Sequence, residues 1–485
     1  MSNSHSPVTD TGTGTRPVIE PELDDAAAAA DEASTEVDAP PARTGLVRRL
    51  AASVDDPVLR ILVVSTAISR VGRGVSLTVT VLYFTLIVGL AAHEVAIVFA
   101  AASAAGVLSS LAGGWLADRM SARRLLLVFT ALDGIGLICY VFAQDFATAL
   151  VIAVVVGAFE QASNSTRMAI IARAFHGERR VHARAVLRTV TNAAIAVGSG
   201  LGALALVAGT ADAYRWIIAG AGVMYLLGLT LLVRLPATVD APSAPLSASV
   251  TTMTGSTDVA ASARSERRAL RAHSPWRDPR YLALTALSAI FGMQFGVSEV
   301  GVPLWIANET TAPEVLVAAV LILNTLVVVL FQVPLSRGTH DPRKAGRVSA
   351  MAAWLMAAAC LVYASAAGLS VGFAIAVIVV AALAHAFAEV LSQAGGWGLS
   401  FELADPVRAG TYQGVFSMGY SLGALAAPLV VTSTALTLGL AGWAVLAAIF
   451  LVSGLGTWAI ARAAARAAPH AASAGSTAPG ASGVA

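Results

Sequence analysis

Apolar runs of membrane-spanning length, separated by short polar breaks, repeat along this chain from about residue 61 to about residue 461. A bilayer core about 30 Å thick takes roughly 20 apolar residues per helix at a rise of about 1.5 Å per residue. Such runs fall near 61–90, 95–117, 123–143, 147–170, 185–208, 214–234, 280–306, 314–335, 346–367, 370–395, 409–434 and 438–461. They lack the two-residue alternation of a membrane barrel. The pattern therefore predicts an all-α polytopic membrane protein with twelve transmembrane helices. Glycine and alanine are frequent inside the runs, as expected where helices pack closely with no hydrophobic drive between them.

The longest internal polar stretch divides the runs six and six. It is rich in Ser, Ala and Thr and ends in a basic segment, Arg264–Arg277. The expected organisation is a disordered cytoplasmic tail over 1–55, a six-helix bundle over 56–235, a cytoplasmic linker over 236–278, a second bundle over 279–462 and a disordered tail over 463–485. The first tail has no apolar h-region, so it is expected to be a tail rather than a signal peptide. Arg123–Arg124 after the second run has a degraded counterpart, Arg343–Lys344, after the eighth. The halves are thus expected to be pseudo-symmetric repeats, the usual construction of secondary transporters.

The chain is 57% hydrophobic and 12% charged, which excludes an ordinary soluble domain. Its net charge of +2 says little about partners, but the placement of charge does. Arginines gather before run 1 (Arg43, Arg48, Arg49) and in nearly every second loop, including Arg119, Arg123 and Arg124, Arg173 to Arg184, and Arg337 to Arg347. The alternate loops carry residues such as Glu94, Asp145, Asp212, Glu309 and Glu314, while Glu402 and Asp405 break the rule after run 10. By the positive-inside rule both termini are cytoplasmic, in the plasma (inner) cell membrane. Cys139 and Cys360 lie inside runs and read as small packing residues. No metal spacing, catalytic constellation or P-loop is present, so no enzyme, metal, cofactor or ATP-driven pump is expected. The expected partners are a small-molecule substrate, protons and the lipid bilayer, with no nucleic acid, and the chain is expected to act as a monomer.

Candidate chemistry lies where polar side chains enter the runs. A charge at mid-bilayer costs several kcal/mol and so faces protein or a watery cavity. Arg70 and Arg73 share one face of helix 1, with Arg73 roughly 18 Å from the helix start. Glu160, Asn164 and Arg167 form one stripe on helix 4; Gln294 and Glu299 mark helix 7; His385, Glu389 and Gln393 mark helix 10. These are the first and fourth helices of each half, the positions a two-fold repeat would gather around one cavity. Asp133 on helix 3, Arg188 and Asn192 on helix 5 and Asn324 on helix 8 fall outside that pattern. Glu160 reads as a proton carrier paired with Arg70 or Arg73, or else as a permanent ion pair. His385 and Glu389 read as a second proton site or as hydrogen-bonded packing, and Glu299 as a gating or solvated group. Tyr83, Phe84, Phe291 and Phe295 could line a cavity or simply pack.

Gly114–x–Leu116–Ala–Asp118–Arg119 followed by Arg123–Arg124 resembles the motif between helices 2 and 3 of the major facilitator superfamily. Ser121 stands where glycine is usual and Ala122 where a basic residue is usual. The resemblance implies two pseudo-symmetric six-helix bundles and a conformational latch: Asp118 against the N-terminal end of helix 11, its basic neighbours gripping nearby helices. Arg70–Val–Gly–Arg–Gly74, Pro303–Leu–Trp305 and Tyr412–Gln–Gly414 are similar to stretches of actinobacterial facilitators. Gly198–Ser–Gly–Leu–Gly202 resembles the antiporter motif of efflux members, with Ser199 in place of its proline. The resemblance implies a secondary transporter of a small organic molecule working by alternating access, with proton-coupled efflux as the leading form. An uptake permease or facilitator, or a non-transporting sensor or scaffold, stays open as an alternative.

Overall fold

A computed structural model describes residues 55–208, 210–240 and 273–475 of the chain. Residues 1–54 of the expected tail, most of the linker and the last ten residues lie outside the described residues. Twelve long helices follow one another: α1 Pro57–Leu82, α2 Ala92–Ala117, α3 Ala122–Cys139, α4 Phe146–Ala174, α5 Glu178–Ala208 and α6 Ala211–Leu232, then α7 Pro279–Glu309, α8 Val315–Ser336, α9 Pro342–Ala364, α10 Val371–Glu402, α11 Ala409–Val431 and α12 Leu440–Gly475. Ten of the spans are long and apolar enough to cross a membrane. The other two, α1 and α5, have the length but carry arginines. No strand occurs among the described residues.

The helix starts show why the chain turns where it does. Asp56 accepts hydrogen bonds from the backbone N–H groups of Val58 (2.8 Å) and Leu59 (3.1 Å). Asp278 does the same for Arg280 (3.1 Å) and Tyr281 (3.0 Å). Each is followed by proline at the first helical position, whose missing N–H is no loss there. The first helix of each half thus opens on the same Asp–Pro device.

Packing repeats as well. In the first half α1 lies against α5 and α6, α3 against α4 and α6, and α2 against α4. In the second half α7 lies against α11 and α12, α9 against α10 and α12, and α8 against α10, which is the same scheme six helices on. The halves meet chiefly through α2 with α11 and α5 with α8, contacts that exchange under the same two-fold relation. Close approach depends on glycine: a Cβ at Gly74 would strike the Ile195 carbonyl, and one at Gly198 the Val71 carbonyl, so α1 and α5 touch backbone to backbone. Gly198 of the antiporter-like stretch of α5 therefore serves helix packing here, while Gly200 has open space around it.

Aromatic clusters fill each bundle: Tyr83, Phe84, Tyr140 and Tyr225 in the first, Trp305, Tyr363, Trp443 and Phe450 in the second. Outside, large apolar side chains such as Leu108, Phe373 and Leu429 are exposed, which suits a lipid solvent rather than water. Several helices run past their sequence-expected limits, among them α10, which continues to Glu402 rather than 395. The start of α5 reaches Glu178 instead of 185, because its arginine-rich first turns are helix formers though not apolar. The alanine-rich end of α12 carries the helix to Gly475, past the boundary expected at 462.

Candidate functional site

Halfway along α1 and α4 a buried ionic cluster forms. Arg70 and Arg73, one turn apart on α1, grip opposite oxygens of Glu160: Arg70 Nη1 to Oε1 at 3.0 Å and Arg73 Nη2 to Oε2 at 3.0 Å. Arg70 also donates to Asn164, one turn along α4, and Arg167 donates to the same Asn164 oxygen at 3.3 Å. The four- and three-residue spacings on α4 make this stripe face α1. Asp133 of α3 is 2% exposed and lies within electrostatic range of Glu160, Arg70, Arg73 and Arg167. It has no hydrogen bond or ion pair among the described residues. The cluster thus holds three guanidinium groups against two carboxyl groups.

A second cluster crosses between the halves. Arg188 of α5 pairs with Glu389 of α10, whose other oxygen accepts from Asn324 Nδ2 of α8 at 3.2 Å. Arg188 also lies over the Phe295 ring, 5.4 Å from its centre. Gln294 donates to Ser392 Oγ at 3.0 Å, inside the second bundle. His385 is buried against the Tyr363 ring, and its Nε2 has no hydrogen-bond partner. It is on neither cavity wall described below.

Two of the cavities between the halves adjoin these ionic clusters. One, of about 630 Å³, runs from Arg70, Arg73 and Glu160 toward Val81 near the end of α1, with Tyr140, Phe99 and Glu299 on its walls. The other, of about 310 Å³, lies toward the end of the arginine-rich loops, with Arg167, Arg184, Arg188, Trp397 and Tyr420 on its walls. Arg70, Gln161, Ser421 and Ala424 line both. Among the described residues no cluster of His, Cys, Asp and Glu could hold a metal ion.

Beyond the smaller cavity, at the arginine-rich end, the halves are bolted together. Asp118 caps the start of α11, accepting from the backbone N–H groups of Gly410 (2.8 Å) and Thr411 (2.6 Å) and from the Thr411 hydroxyl (2.5 Å). The positive end of a helix favours an anion at this place. Gly114 makes the approach possible, because a Cβ there would collide with the Gly410 carbonyl. Arg173, at the end of α4, holds Asp118 Oδ1 from its own half at 2.6 Å. Nearby, Arg180 of α5 donates to the Phe401 carbonyl of α10 at 3.1 Å.

Several expectations need correction. Of the basic neighbours of Asp118, only Arg123 grips another element, donating to the Val233 carbonyl at the end of α6 (2.9 Å). Arg119 folds back over Trp115 of its own helix, 3.7 Å from the ring centre, and the Arg124 side chain makes no polar contact among the described residues. The charge facing Asp118 comes from Arg173 instead, which sits 55 residues away in sequence. Tyr83, Phe84 and Phe291 are in the bundle cores rather than on the walls of these two cavities, packed there against other rings: Phe84 on Tyr140 and Phe291 on Phe450. Phe295 packs on Tyr420, its ring centre 6.3 Å away. The wall aromatics are Phe99, Tyr140, Trp397 and Tyr420. The cavities are not lined evenly by helices 1, 4, 7 and 10. Helices α1, α4, α5 and α11 dominate, α7 contributes Glu299 and α10 Trp397. Arg188 and Asn324 stood outside the expected stripes, and the signal available was their polarity within apolar runs.

A family model described as the Major Facilitator Superfamily matches residues 62–428. No curated protein matches the sequence. Among solved structures, the chain is similar to the human organic anion transporter MFSD10 (TETRAN), at a TM-score of 0.61 and 14% identity, covering 83% of this chain and 99% of that one. It is also similar to the proton:xylose symporter XylE bound to 6-bromo-6-deoxy-D-glucose, at a TM-score of 0.60 and 13% identity, covering 84% and 96%. At these identities the likeness concerns the fold.

Proposed function

The chain belongs to the major facilitator superfamily, and on that premise we propose that it exports a small organic molecule across the plasma membrane by alternating access, driven by protons entering through Glu160. Membership makes it a multi-pass membrane transporter rather than an enzyme. The coupling and the direction are the present reading. It rests above all on one observation: Glu160 is buried at mid-helix, bridges two arginines of α1 and lines the larger cavity between the halves.

A proton arriving on Glu160 removes the charge that holds both Arg70 and Arg73. Breaking a buried pair from one side costs about 3–5 kcal/mol, because the remaining charge is left uncompensated. A free energy of that size shifts a two-state equilibrium by roughly two to four orders of magnitude. The freed arginines need new partners, which a second conformation or a substrate supplies. With the arginine-rich loops and both termini in the cytoplasm, the Asp118 contacts close the inner side and the larger cavity runs toward the outer one. External protons then reach Glu160 in this state, the order an exchanger needs.

The test is transport in proteoliposomes with Glu160→Gln. The variant is expected to keep counterflow of labelled substrate while losing all dependence on a pH gradient. Undiminished proton-driven transport by Glu160→Gln would remove Glu160 from the coupling role, and absence of counterflow by the wild-type protein would remove transport itself.

A further inference from the structure

We propose that the 310 Å³ cavity is a binding site for a small organic anion, its acidic head held between Arg167 of α4 and Arg184 of α5 and its apolar body against Trp397 and Tyr420. Four arginines line this cavity, Arg70, Arg167, Arg184 and Arg188, and among the described residues no carboxylate does. Two of the four are already paired, Arg70 with Glu160 and Arg188 with Glu389. Arg167 and Arg184 have no carboxylate within 4.0 Å among the described residues, by the limit that defines the ion pairs elsewhere in the molecule.

Arg167 is 6% exposed, and its one side-chain acceptor is the Asn164 oxygen that Arg70 also uses. The Nε atoms of Arg167 and Arg184 are buried with no hydrogen-bond partner. Arg167 is buried and Arg184 half-buried, and a cation held out of water without a contacting carboxylate costs the empty protein free energy. The cost is recovered when an anion enters, which is how a binding site differs from a structural ion pair. Arg184 lies over the Trp397 ring, its guanidinium carbon 4.4 Å from the ring centre. A guanidinium has five N–H donors, so a ring contact of this kind leaves donors for a carboxylate, sulfonate or phosphonate. Tyr420 is held by Gln393, which donates to its hydroxyl at 2.6 Å, so the aromatic wall is fixed in advance. The volume is at the small end of ligand sites.

This inference names the substrate class for the transporter reading and rests on it. Arg70 lines both cavities, so an anion in the smaller one competes with Glu160 for the same guanidinium.

The experiment is equilibrium binding by calorimetry to the purified full-length protein in lipid nanodiscs. The probes are naphthalene-2-carboxylate and naphthalene-2-sulfonate, with neutral 2-naphthamide and cationic 2-naphthylmethylammonium as size-matched comparisons. Both anions are expected to bind, and the amide and the ammonium to bind at least about tenfold more weakly, the equivalent of about 1.4 kcal/mol. Arg167→Gln and Arg184→Gln should each weaken the anions by at least about tenfold and leave the amide unchanged. Neither should lower the thermal midpoint of the empty protein, since each removes an unpaired charge. Arg215→Gln, on the exposed end of α6, should bind as the wild type does. The proposal is overturned if anions and amide bind alike, or if both variants keep wild-type anion affinity. Loss of the ligand-free fold in both variants would show the two cations to be structural and would overturn it equally. A protein that binds the anions yet shows no counterflow would keep this site and remove the transport reading.

Discussion

Substituting Asp118 by Asn separates the two jobs its carboxylate does. The bond from Arg173 lies within the first half of the chain and persists whichever way the halves tilt. The bonds from Gly410 and Thr411 cross to the second half and exist only while the arginine-rich end is closed. Hydrogen bonds to a charged group contribute about 1.5–3 kcal/mol each and neutral ones about 1 kcal/mol, without adding fully. An Asn keeps one neutral acceptor and turns an N–H₂ group toward another donor. A net loss of about 2–3 kcal/mol from the closed state is therefore expected, which raises the open fraction roughly 30- to 150-fold.

The assay is maleimide labelling of Thr191→Cys, a position on the smaller cavity, in a protein whose two free cysteines, Cys139 and Cys360, have been replaced. Applied from the arginine-rich side of oriented vesicles, the reagent reacts in proportion to the open fraction, so the rate should rise by that factor. Arg124→Gln should leave it unchanged, because among the described residues Arg124 makes a hydrogen bond only through its backbone N–H, to Ser121. A labelling rate for Asp118→Asn within about twofold of the parent, well inside the shift calculated from the crossing hydrogen bonds, would refute the argument that these bonds hold the end shut.

Two further outcomes are expected. Arg188→Glu should destabilise the protein by about 3–5 kcal/mol, since it leaves two carboxylates facing each other across the halves, and adding Glu389→Arg should restore most of that, read as thermal midpoints in a double-mutant cycle. Asp145, the exposed N-cap of α4, has its carboxyl held below the usual carboxylate range by the Thr148 backbone N–H and then by the Thr148 hydroxyl. Its contribution is therefore full above the ordinary Asp range near pH 4 and lost as pH falls through the lower folded value, so the midpoint deficit of Asp145→Ala at pH 7 should shrink as the medium is acidified below that range.

Much of the architecture was legible because membrane helices obey a local rule. Each run must be apolar over one bilayer thickness and satisfy its own backbone, so twelve runs could be read from a window of about twenty residues. The same rule made Arg70, Arg73 and Glu160 conspicuous, since an ionic side chain in oil needs a partner, and spacing placed them on facing stripes. The Arg188–Glu389 pair, 201 residues apart, could not be read in that way. Its members sit on helices whose contact depends on how two bundles meet, and no local pattern encodes that.

The chain alone determined the helices, their hydrophobic lengths, the division into halves and the identity of the submerged charges, because each follows from near-neighbour chemistry against a uniform solvent. Tertiary structure decided which charge meets which: that Asp118 faces Arg173, that Tyr83 and Phe84 turn into a core, and that Arg167 and Arg184 have no contacting carboxylate among the described residues beside a cavity. Those outcomes depend on the rotation of each helix about its axis and on close glycine contacts between distant segments. Periodicity leaves several rotations open, and only the packing of all twelve helices together selects one.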